Sequence, residues 1–306
     1  MIACCFTSTA LCCLVGAGQA PLKAILDTDI GSDVDDCYAV TCAVRHPGLE
    51  VVAITTEHDP DLARARLVHR LLKALGQDDI PVYPGYNKPG DPPKYAYAEW
   101  GEEDDYIAPE ETAPEIIARL ASQRPGELAL IAIGPQTNIG EALVLDPDLP
   151  KQIAKLVAMA GSYKVGYNGA AEPSAEWNVV QDIAAARAVA AAGFEYTLVG
   201  LDVCGRIVPT EEQMSRLAAG TSPWCAALSE LSSMYRDWGG PYPPILFDVM
   251  AVLQAAQPDT CATERVHITV DDQGFTRATD GVPNTTVCVT TDQAAAAATE
   301  WTVLGL

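Results

Sequence analysis

Residues 22–36, LKAILDTDIGSDVDD, join an apolar run to a dense group of acids. The run at 22–26 predicts a buried strand, and five carboxylates follow it within ten residues. Carboxylates held this close repel one another and are costly to desolvate, so a bound cation is the simplest way to neutralise them. Oxygen ligands on a Gly-containing turn favour a hard cation, Ca²⁺ before Mg²⁺, at the sheet edge where ligands usually bind.

Strand-like and helix-like segments alternate after the acidic loop. This pattern predicts an α/β fold with one domain over residues 21–306, in which helices flank a mainly parallel central sheet. Further strands are predicted at 51–56, 80–83, 128–133, 155–160 and 196–201. Helices are predicted at 62–75, 114–122, 138–145, 182–192, 210–219, 224–235 and 248–256. Two long loops lie at 87–111 and 161–177, and residues 265–271 and 285–290 predict a hairpin-like β addition.

The composition indicates a globular protein that does not bind polyanions. Hydrophobic residues make up 49% of the 306 residues, which is enough to bury a full core. Asp and Glu outnumber Lys and Arg 41 to 19, giving a formal net charge of -22. We therefore expect neither nucleic acid nor an anionic membrane as a partner.

The first twenty residues form an apolar stretch that resembles a cleavable secretory signal. It has no Lys or Arg at its start, and Pro21 follows the candidate cleavage point. We expect the protein to be secreted or extracytoplasmic, with a cytoplasmic location as the alternative. Six of the ten cysteines lie beyond this stretch without metal-binding spacing, and we expect them to be buried thiols.

Two other kinds of acidic loop need to be considered for this segment. An EF-hand is excluded, because counting from Asp27 the sixth position is not Gly and the twelfth is Tyr38. In haloacid dehalogenase-like phosphatases, which use Mg²⁺, a strand delivers a nucleophilic Asp and a second Asp two residues later. Asp27 and Asp29 match that spacing, but the adjacent pair Asp35 and Asp36 is not part of that pattern.

Six segments in order resemble the nucleoside hydrolase family, the type that prefers inosine and uridine. They are LDTDIGSDVDD, VVAITTEHDPDLARARLVHRLLKALG, IAIGPQTNIGEAL, Met159-Ala160-Gly161, AEWNVVQDIAAARA and Leu201-Asp202-Val203-Cys204. The first departs from the family's Asp-Thr-Asp-Pro-Gly-x-Asp-Asp loop by two extra residues before the final acidic pair. The resemblance implies the family's α/β fold and hydrolysis of the N-glycosidic bond of ribonucleosides to ribose and free base.

The same resemblance implies a set of Ca²⁺ ligands. Side chains of Asp29, Asp35, Asp36 and Asp248 and the backbone carbonyl of Ile133 would bind the ion. Asp27 and Asp33 would support the loop without binding the ion, although the insertion leaves open whether Asp33 replaces Asp35. Asp29 would also serve as the general base.

The ribose contacts implied by the family come from four side chains, Asp59, Asn168, Glu176 and Asn178. His58 is an alternative to Asp59, and the spacing between Asn168 and Glu176 is not the family's usual one. Taken without the resemblance, Glu176 and Asn178 are more typical of a helix-entry cap. Trp100, Tyr95, Tyr97 and Trp238 are candidates for stacking on a base, or for packing.

One departure from the family concerns protonation of the leaving group. Many members carry a His just before the Asp of the last helix, where this chain has Phe247. The leading hypothesis is nevertheless a Ca²⁺-dependent ribohydrolase, which we expect to be a homo-oligomer, dimer or tetramer. The alternatives are a catalytically silent homologue that binds Ca²⁺ and ribose, and the Mg²⁺-dependent phosphatase.

Overall fold

The computed structural model describes residues 20–85 and 94–306. The predicted signal segment up to residue 19 and part of the predicted loop, residues 86–93, lie outside the described residues. Nine strands form one sheet in the order β3-β2-β1-β4-β5-β6-β9-β7-β8. Their bounds are β1 Leu22–Thr28, β2 Leu49–Thr56, β3 Val82–Tyr83, β4 Leu128–Ala132, β5 Ile153–Met159, β6 Tyr196–Val199, β7 Cys261–Val270, β8 Thr276–Thr279 and β9 Thr285–Thr291.

Twelve α-helices cover the sheet in the described part of the chain. Their bounds are α1 Asp35–Arg45, α2 Ala63–Leu75, α3 Ala113–Gln123, α4 Thr137–Leu145, α5 Leu149–Gln152, α6 Trp177–Gln181, α7 Ile183–Ala191, α8 Leu201–Cys204, α9 Glu211–Ala219, α10 Pro223–Trp238, α11 Val249–Ala256 and α12 Gln293–Leu304. The fold is therefore a single α/β domain, as predicted.

The apolar run at the start of β1 is continuous because this central strand is covered on both faces of the sheet. Ala24 and Leu26 pack into the core on one face of the sheet, and Ile25 packs into the core on the other. A strand of a parallel sheet that is covered on both faces has no solvent side, so its side chains do not alternate between apolar and polar. β1 pairs in parallel with β2 and with β4, which aligns Asp27 with Thr55 and with Ala132.

Strands β1 to β6 all run parallel to their neighbours, and β9 is parallel to β6. Their carboxyl ends meet at one edge, and the loops that follow β1, β2, β4 and β5 are brought together there. The helices α1, α2, α10, α11 and α12 contribute to the core on one face, and α3, α4 and α7 contribute to the core on the other.

The C-terminal region differs from its sequence prediction in three ways. The two predicted strands do pair antiparallel, as β7 and β9, but β9 also joins the main sheet beside β6. A short strand, β8, lies between them in the chain, and α12 follows them.

The strand predicted at 196–201 ends earlier than the sequence suggests. β6 ends at Val199, and Leu201 begins the short helix α8 after Gly200.

The six described cysteines are free and buried, as predicted. Among the described residues, none of the helices combines the length and the apolar character needed to cross a bilayer.

Glu300, in α12, is fully buried and neither of its carboxyl oxygens has a hydrogen-bond partner among the described residues. Burial raises its pKa to about 8, and its charge would raise the pKa of Tyr38 and Cys42 on the facing helix α1. The folded state therefore binds the Glu300 proton more tightly than the unfolded state does.

We predict that Glu300→Gln stabilises the protein at pH 8.5 by on the order of 3 kcal/mol and has little effect at pH 4. A raised pKa gives stability that is complete below the unfolded pKa and is lost as pH rises through the folded value. Urea unfolding of both proteins at each pH measures the difference. Equal differences at the two pH values would show that Glu300 does not carry this linkage.

Candidate functional site

Four aspartates meet at the carboxyl edge of the sheet. Asp29 follows β1, Asp35 and Asp36 begin α1, and Asp248 precedes α11. Carboxylate oxygens of Asp35, Asp36 and Asp248 lie within 4.8 Å of one another, and all three residues are buried. Asp29 lines the same cavity. Residues that are more than two hundred positions apart are thus brought to one point.

Burial makes this group of carboxylates electrostatically unfavourable without a counter-ion. It raises the pKa of Asp29, and it raises the pKa of Asp35 and Asp248 well above the usual range, with further increases from the neighbouring carboxylates. The charge of Arg64 lowers the pKa of Asp29 and of Asp36, but less than burial raises it. A divalent cation would relieve this repulsion.

The donor set fits a hard cation. The nearby protein groups are carboxylate oxygens and Ile133, which follows β4 and lines the same cavity. Oxygen-only donors favour Ca²⁺ or Mg²⁺ over transition metals. Gly134 allows the two loops to approach, because a Cβ there would lie 2.9 Å from the backbone nitrogen of Asp29.

Asp27 lies near the end of β1, where it supports the acidic loop, and it does not line the cavity. It is fully buried, and its Oδ1 accepts hydrogen bonds from Thr55 Oγ1 at 2.6 Å and Asn138 Nδ2 at 2.8 Å. Burial raises its pKa to about 6. Burial raises the pKa of Glu57 well above its ordinary value, and the charge of Asp27 raises it further. Glu57 Oε1 accepts a hydrogen bond of 3.0 Å from the backbone N–H of Asn138. The sequence analysis missed Glu57, whose only signal is an acid directly after a predicted buried strand.

Asp33, from the two-residue insertion, lines the cavity but is not in the close group with Asp35, Asp36 and Asp248. Its Oδ2 accepts a hydrogen bond of 2.8 Å from the hydroxyl of Tyr235 on α10. The insertion therefore adds a carboxylate to the cavity wall and connects the acidic loop to α10. Tyr97 holds the same loop, because Gly31 N donates to its hydroxyl at 3.0 Å.

Glu176 and Asn178 lie together in the cavity wall, at the start of α6. Glu176 is a helix cap, as its sequence context also suggested, and accepts from the backbone N–H groups of Asn178 and Gly161 at 2.9 Å each. Burial raises its pKa to about 7. Asn178 Nδ2 donates to the carbonyl of Met159 at 3.0 Å, which leaves its carbonyl oxygen to accept from a ligand.

Asp59 and Asn168 are not brought into the wall of this cavity. Asp59 is buried and accepts from Thr56 Oγ1 and from the backbone N–H groups of Arg64 and Ala65, so it caps the start of α2. Asn168 is exposed, with a φ of 56°, and its neighbour Tyr167 lines the cavity instead. The ribose contacts of Asp59 and Asn168 stay predictions.

The cavity has a volume of about 320 Å³ and combines acids with aromatic rings. Its aromatic lining among the described residues consists of Tyr167, Trp177, Tyr235, Trp238 and Phe247. Of the four aromatic residues predicted for base stacking, Trp238 alone belongs to this lining. Trp100 is held elsewhere, by a 3.0 Å hydrogen bond to Glu230.

An open, mainly parallel sheet with a buried carboxylate group and a polar cavity at its carboxyl edge is the arrangement expected of a metal-dependent enzyme for a small polar molecule. The family model described as "Inosine-uridine preferring nucleoside hydrolase" matches residues 24–298. The chain therefore belongs to this family, and the resemblance drawn from its motifs is confirmed.

Curated relatives and solved structures agree with this assignment. The chain is 30% identical to the pyrimidine-specific ribonucleoside hydrolase RihA of Citrobacter koseri, with 89% of this chain and 94% of the relative covered. It is 28% identical to uridine nucleosidase 1 of Arabidopsis thaliana, with 83% and 79% covered. Its fold matches a plant nucleoside hydrolase with a TM-score of 0.81 at 24% identity, with 92% and 99% covered. It also matches a purine-preferring ribonucleoside hydrolase from Gardnerella vaginalis with a TM-score of 0.79 at 24% identity, with 92% and 97% covered.

We predict that Asp29→Ala weakens divalent cation binding by at least about tenfold, because one charged ligand is lost from the site. Calorimetric titration with Ca²⁺ measures the change. The matched control is Asp272→Ala, which removes an equally charged but exposed side chain paired with Arg187. Undiminished affinity in the Asp29 variant would contradict its role as a ligand.

Proposed function

We propose that the protein catalyses Ca²⁺-dependent hydrolysis of the N-glycosidic bond of ribonucleosides or a related N-riboside, giving ribose and free base. The observation that carries the proposal is the cavity in which Asp29 and the group of Asp35, Asp36 and Asp248 lie with Glu176 and Asn178. Family membership supports the reaction, and the relatives' names include uridine nucleosidase and ribonucleoside hydrolase.

N-glycosidic cleavage passes through a ribosyl cation with oxocarbenium character, so the site must activate a water and hold the sugar. A divalent cation held by Asp29, Asp35, Asp36 and Asp248 would supply positive charge that lowers the pKa of a water and attracts ribose hydroxyl groups. Asp29 accepts the proton from the attacking water. Glu176 and Asn178 offer carboxylate and amide oxygens to the ribose hydroxyls, and their backbone contacts fix them in place.

The phosphatase alternative is not supported by the position of Asp27. A nucleophilic Asp must reach its substrate, whereas Asp27 is fully buried and bonded to Thr55 and Asn138. A silent homologue that binds Ca²⁺ and ribose would use the same residues, so only a measurement of bond cleavage separates it from the enzyme. Homo-oligomerisation and an extracytoplasmic location stay predictions.

We predict that the protein releases base from uridine or inosine in the presence of Ca²⁺. A chelator should reduce kcat/KM by at least about 100-fold, because activation of the water depends on the cation, and added Ca²⁺ should restore it. Chromatographic detection of the free base measures the reaction. A protein that binds Ca²⁺ but releases no base would be the silent homologue, and release of phosphate from p-nitrophenyl phosphate with Mg²⁺ would support the phosphatase.

No His lies in the described wall of the cavity, so the leaving group lacks the acid that many family members use. Phe247 stands at the family's His position and contacts Tyr167 edge to face, with ring centroids 6.4 Å apart. Asp104, an acid of the loop at 94–111, bonds to His69 and Lys73 of α2 instead of facing the cavity. A substrate whose base departs without protonation therefore suits this site better than one that needs an acid.

We predict that p-nitrophenyl riboside has a higher kcat/KM than inosine, since a positioned general acid typically contributes about 10²- to 10⁴-fold and Phe247 cannot act as one. Phe247→His should raise inosine hydrolysis more than hydrolysis of the activated riboside. Steady-state kinetics with both substrates measure this. Similar values for the two substrates in the unmodified protein would mean that another group supplies the proton.

A further inference from the structure

Asp202 is buried in the first turn of α8 and belongs to one of the six segments that resemble the family, yet it does not line the cavity. A carboxylate at this position usually stabilises its own helix through the helix dipole. Both oxygens of Asp202 are instead bonded to another segment. Oδ2 accepts from the backbone N–H of Tyr163 at 2.8 Å, and Oδ1 accepts from those of Lys164 and Val165 at 2.7 and 3.1 Å. Three successive N–H groups thus converge on one carboxylate, whose charge strengthens each hydrogen bond.

These N–H groups belong to residues 160–176, which join β5 to α6 and which we call the cavity loop. The loop supplies Tyr167 and Glu176 to the cavity wall. Its own side chains connect its start to its middle. Ser162 Oγ accepts from the N–H of Ser174 at 2.9 Å, and Ser174 Oγ accepts from the N–H of Tyr167 at 3.2 Å. A shift at the start of the cavity loop would therefore also move Tyr167.

The start of the cavity loop is also linked directly to Glu176. The N–H of Gly161 donates to Glu176 Oε2 at 2.9 Å, and the carbonyl of Gly161 accepts from the N–H of Leu201, the first residue of α8, at 3.0 Å. The hydroxyl of Tyr167 accepts from the N–H of Trp177 at 2.9 Å, so the end of the loop is held as well. The position of the Glu176 carboxylate thus depends on where α8 holds the loop.

A second anchor of the cavity loop comes from β8. Thr276 is buried, and its Oγ1 accepts from the N–H of Ser162 at 3.0 Å and donates to the carbonyl of Ser162 at 2.8 Å. Lys164 is also paired with Glu264, but that pair is exposed and contributes little. Asp202 and Thr276 therefore hold the same few residues of the loop from two different parts of the fold.

Such anchors matter for catalysis because the site must hold its polar groups in a narrow range of positions. A displacement of about 1 Å, even one caused far from the reacting atoms, can reduce a rate by about 10²-fold. An amide in place of the Asp202 carboxylate would direct N–H groups at one of the three backbone donors. That donor would lose its acceptor, and the loop would have to move to regain one.

We propose that Asp202, assisted by Thr276, is a positioning residue for the hydrolysis. It holds the start of the cavity loop so that Glu176 meets the ribose and Tyr167 closes the wall beside Phe247. This inference rests on the proposed function, and it gives a role to a family segment that lies outside the cavity wall.

The first test measures hydrolysis by Asp202→Asn in the presence of Ca²⁺, with whichever of uridine, inosine and p-nitrophenyl riboside the unmodified protein cleaves best. We expect kcat/KM to fall by about 10- to 100-fold. Ca²⁺ affinity, measured by calorimetry, should stay within about twofold, because the proposed cation ligands lie outside the cavity loop. The matched control is Asp292→Asn, whose carboxylate accepts from the N–H of Ala295 at 3.0 Å at the start of α12. The control should leave both quantities unchanged.

Three outcomes of this test overturn the inference. Unchanged kcat/KM in Asp202→Asn would show that the anchor has no effect on the site. A parallel loss of Ca²⁺ affinity would show a general disturbance instead of a shift of the cavity loop. In both cases the proposed function stands. If the unmodified protein cleaves none of the three substrates, the inference and the proposed function are both overturned.

A double-mutant cycle with Glu176→Gln separates positioning from an independent contribution. If Asp202 acts through Glu176, the double variant should lose less kcat/KM than the product of the two single losses, by at least about fivefold. Losses that multiply to within about twofold would overturn the inference. Thr276→Val keeps the volume of the side chain but removes both hydrogen bonds to Ser162, and it should show the same shortfall with Glu176→Gln.

Urea unfolding of each variant shows whether it is folded. If Asp202→Asn does not fold, the cycle with Thr276→Val decides. Full activity of Thr276→Val, or losses that multiply in its cycle, would then overturn the inference.

Discussion

The repulsion among desolvated carboxylates at the end of β1 is the constraint on which the rest of the site depends. Asp35, Asp36 and Asp248 are buried within 4.8 Å of one another, and burial raises the pKa of each. Such an arrangement is tolerable only because the surrounding fold holds it rigidly and a cation can neutralise it. Part of the stabilising free energy of the core therefore offsets the repulsion among these carboxylates.

The parallel sheet supplies that rigidity. β1 lies between β2 and β4, so Asp27 at its end reaches Thr55 on β2, while Asn138 approaches from the helix that follows β4. Glu57 joins the same network by accepting from the backbone N–H of Asn138 at 3.0 Å. These contacts are made inside the sheet and outside the cavity wall. They therefore fix the direction of the acidic loop without occupying the positions where a ligand would bind. Asp27, which supports the loop, thus lies only two positions before Asp29, the proposed cation ligand.

Sequence reasoning succeeded where the signal is local. The apolar run before the acids marked β1, and the alternation of strands and helices indicated the parallel sheet. It failed where contacts between distant segments determine the local conformation or the position of a side chain. Leu201 is apolar enough for a strand, yet it begins α8, and the Asn168 segment turns its side chain to solvent while Tyr167 lines the cavity. Tyr235 could not be paired with Asp33 in advance, because 202 residues separate them and no spacing pattern relates α10 to the insertion.

The cavity is divided by chemistry into two parts, and this division explains why the family's missing His is compatible with a functional site. On one side, acids and amides meet the demands of the ribosyl cation, whose positive charge develops during the reaction. On the other, rings such as Trp238 and Phe247 offer contact area but no proton. Under the proposed mechanism, such an enzyme would lower the barrier by stabilising the sugar and would rely on the leaving group's own stability as a free base. Phe247 in place of a His would then narrow the range of substrates without removing the reaction.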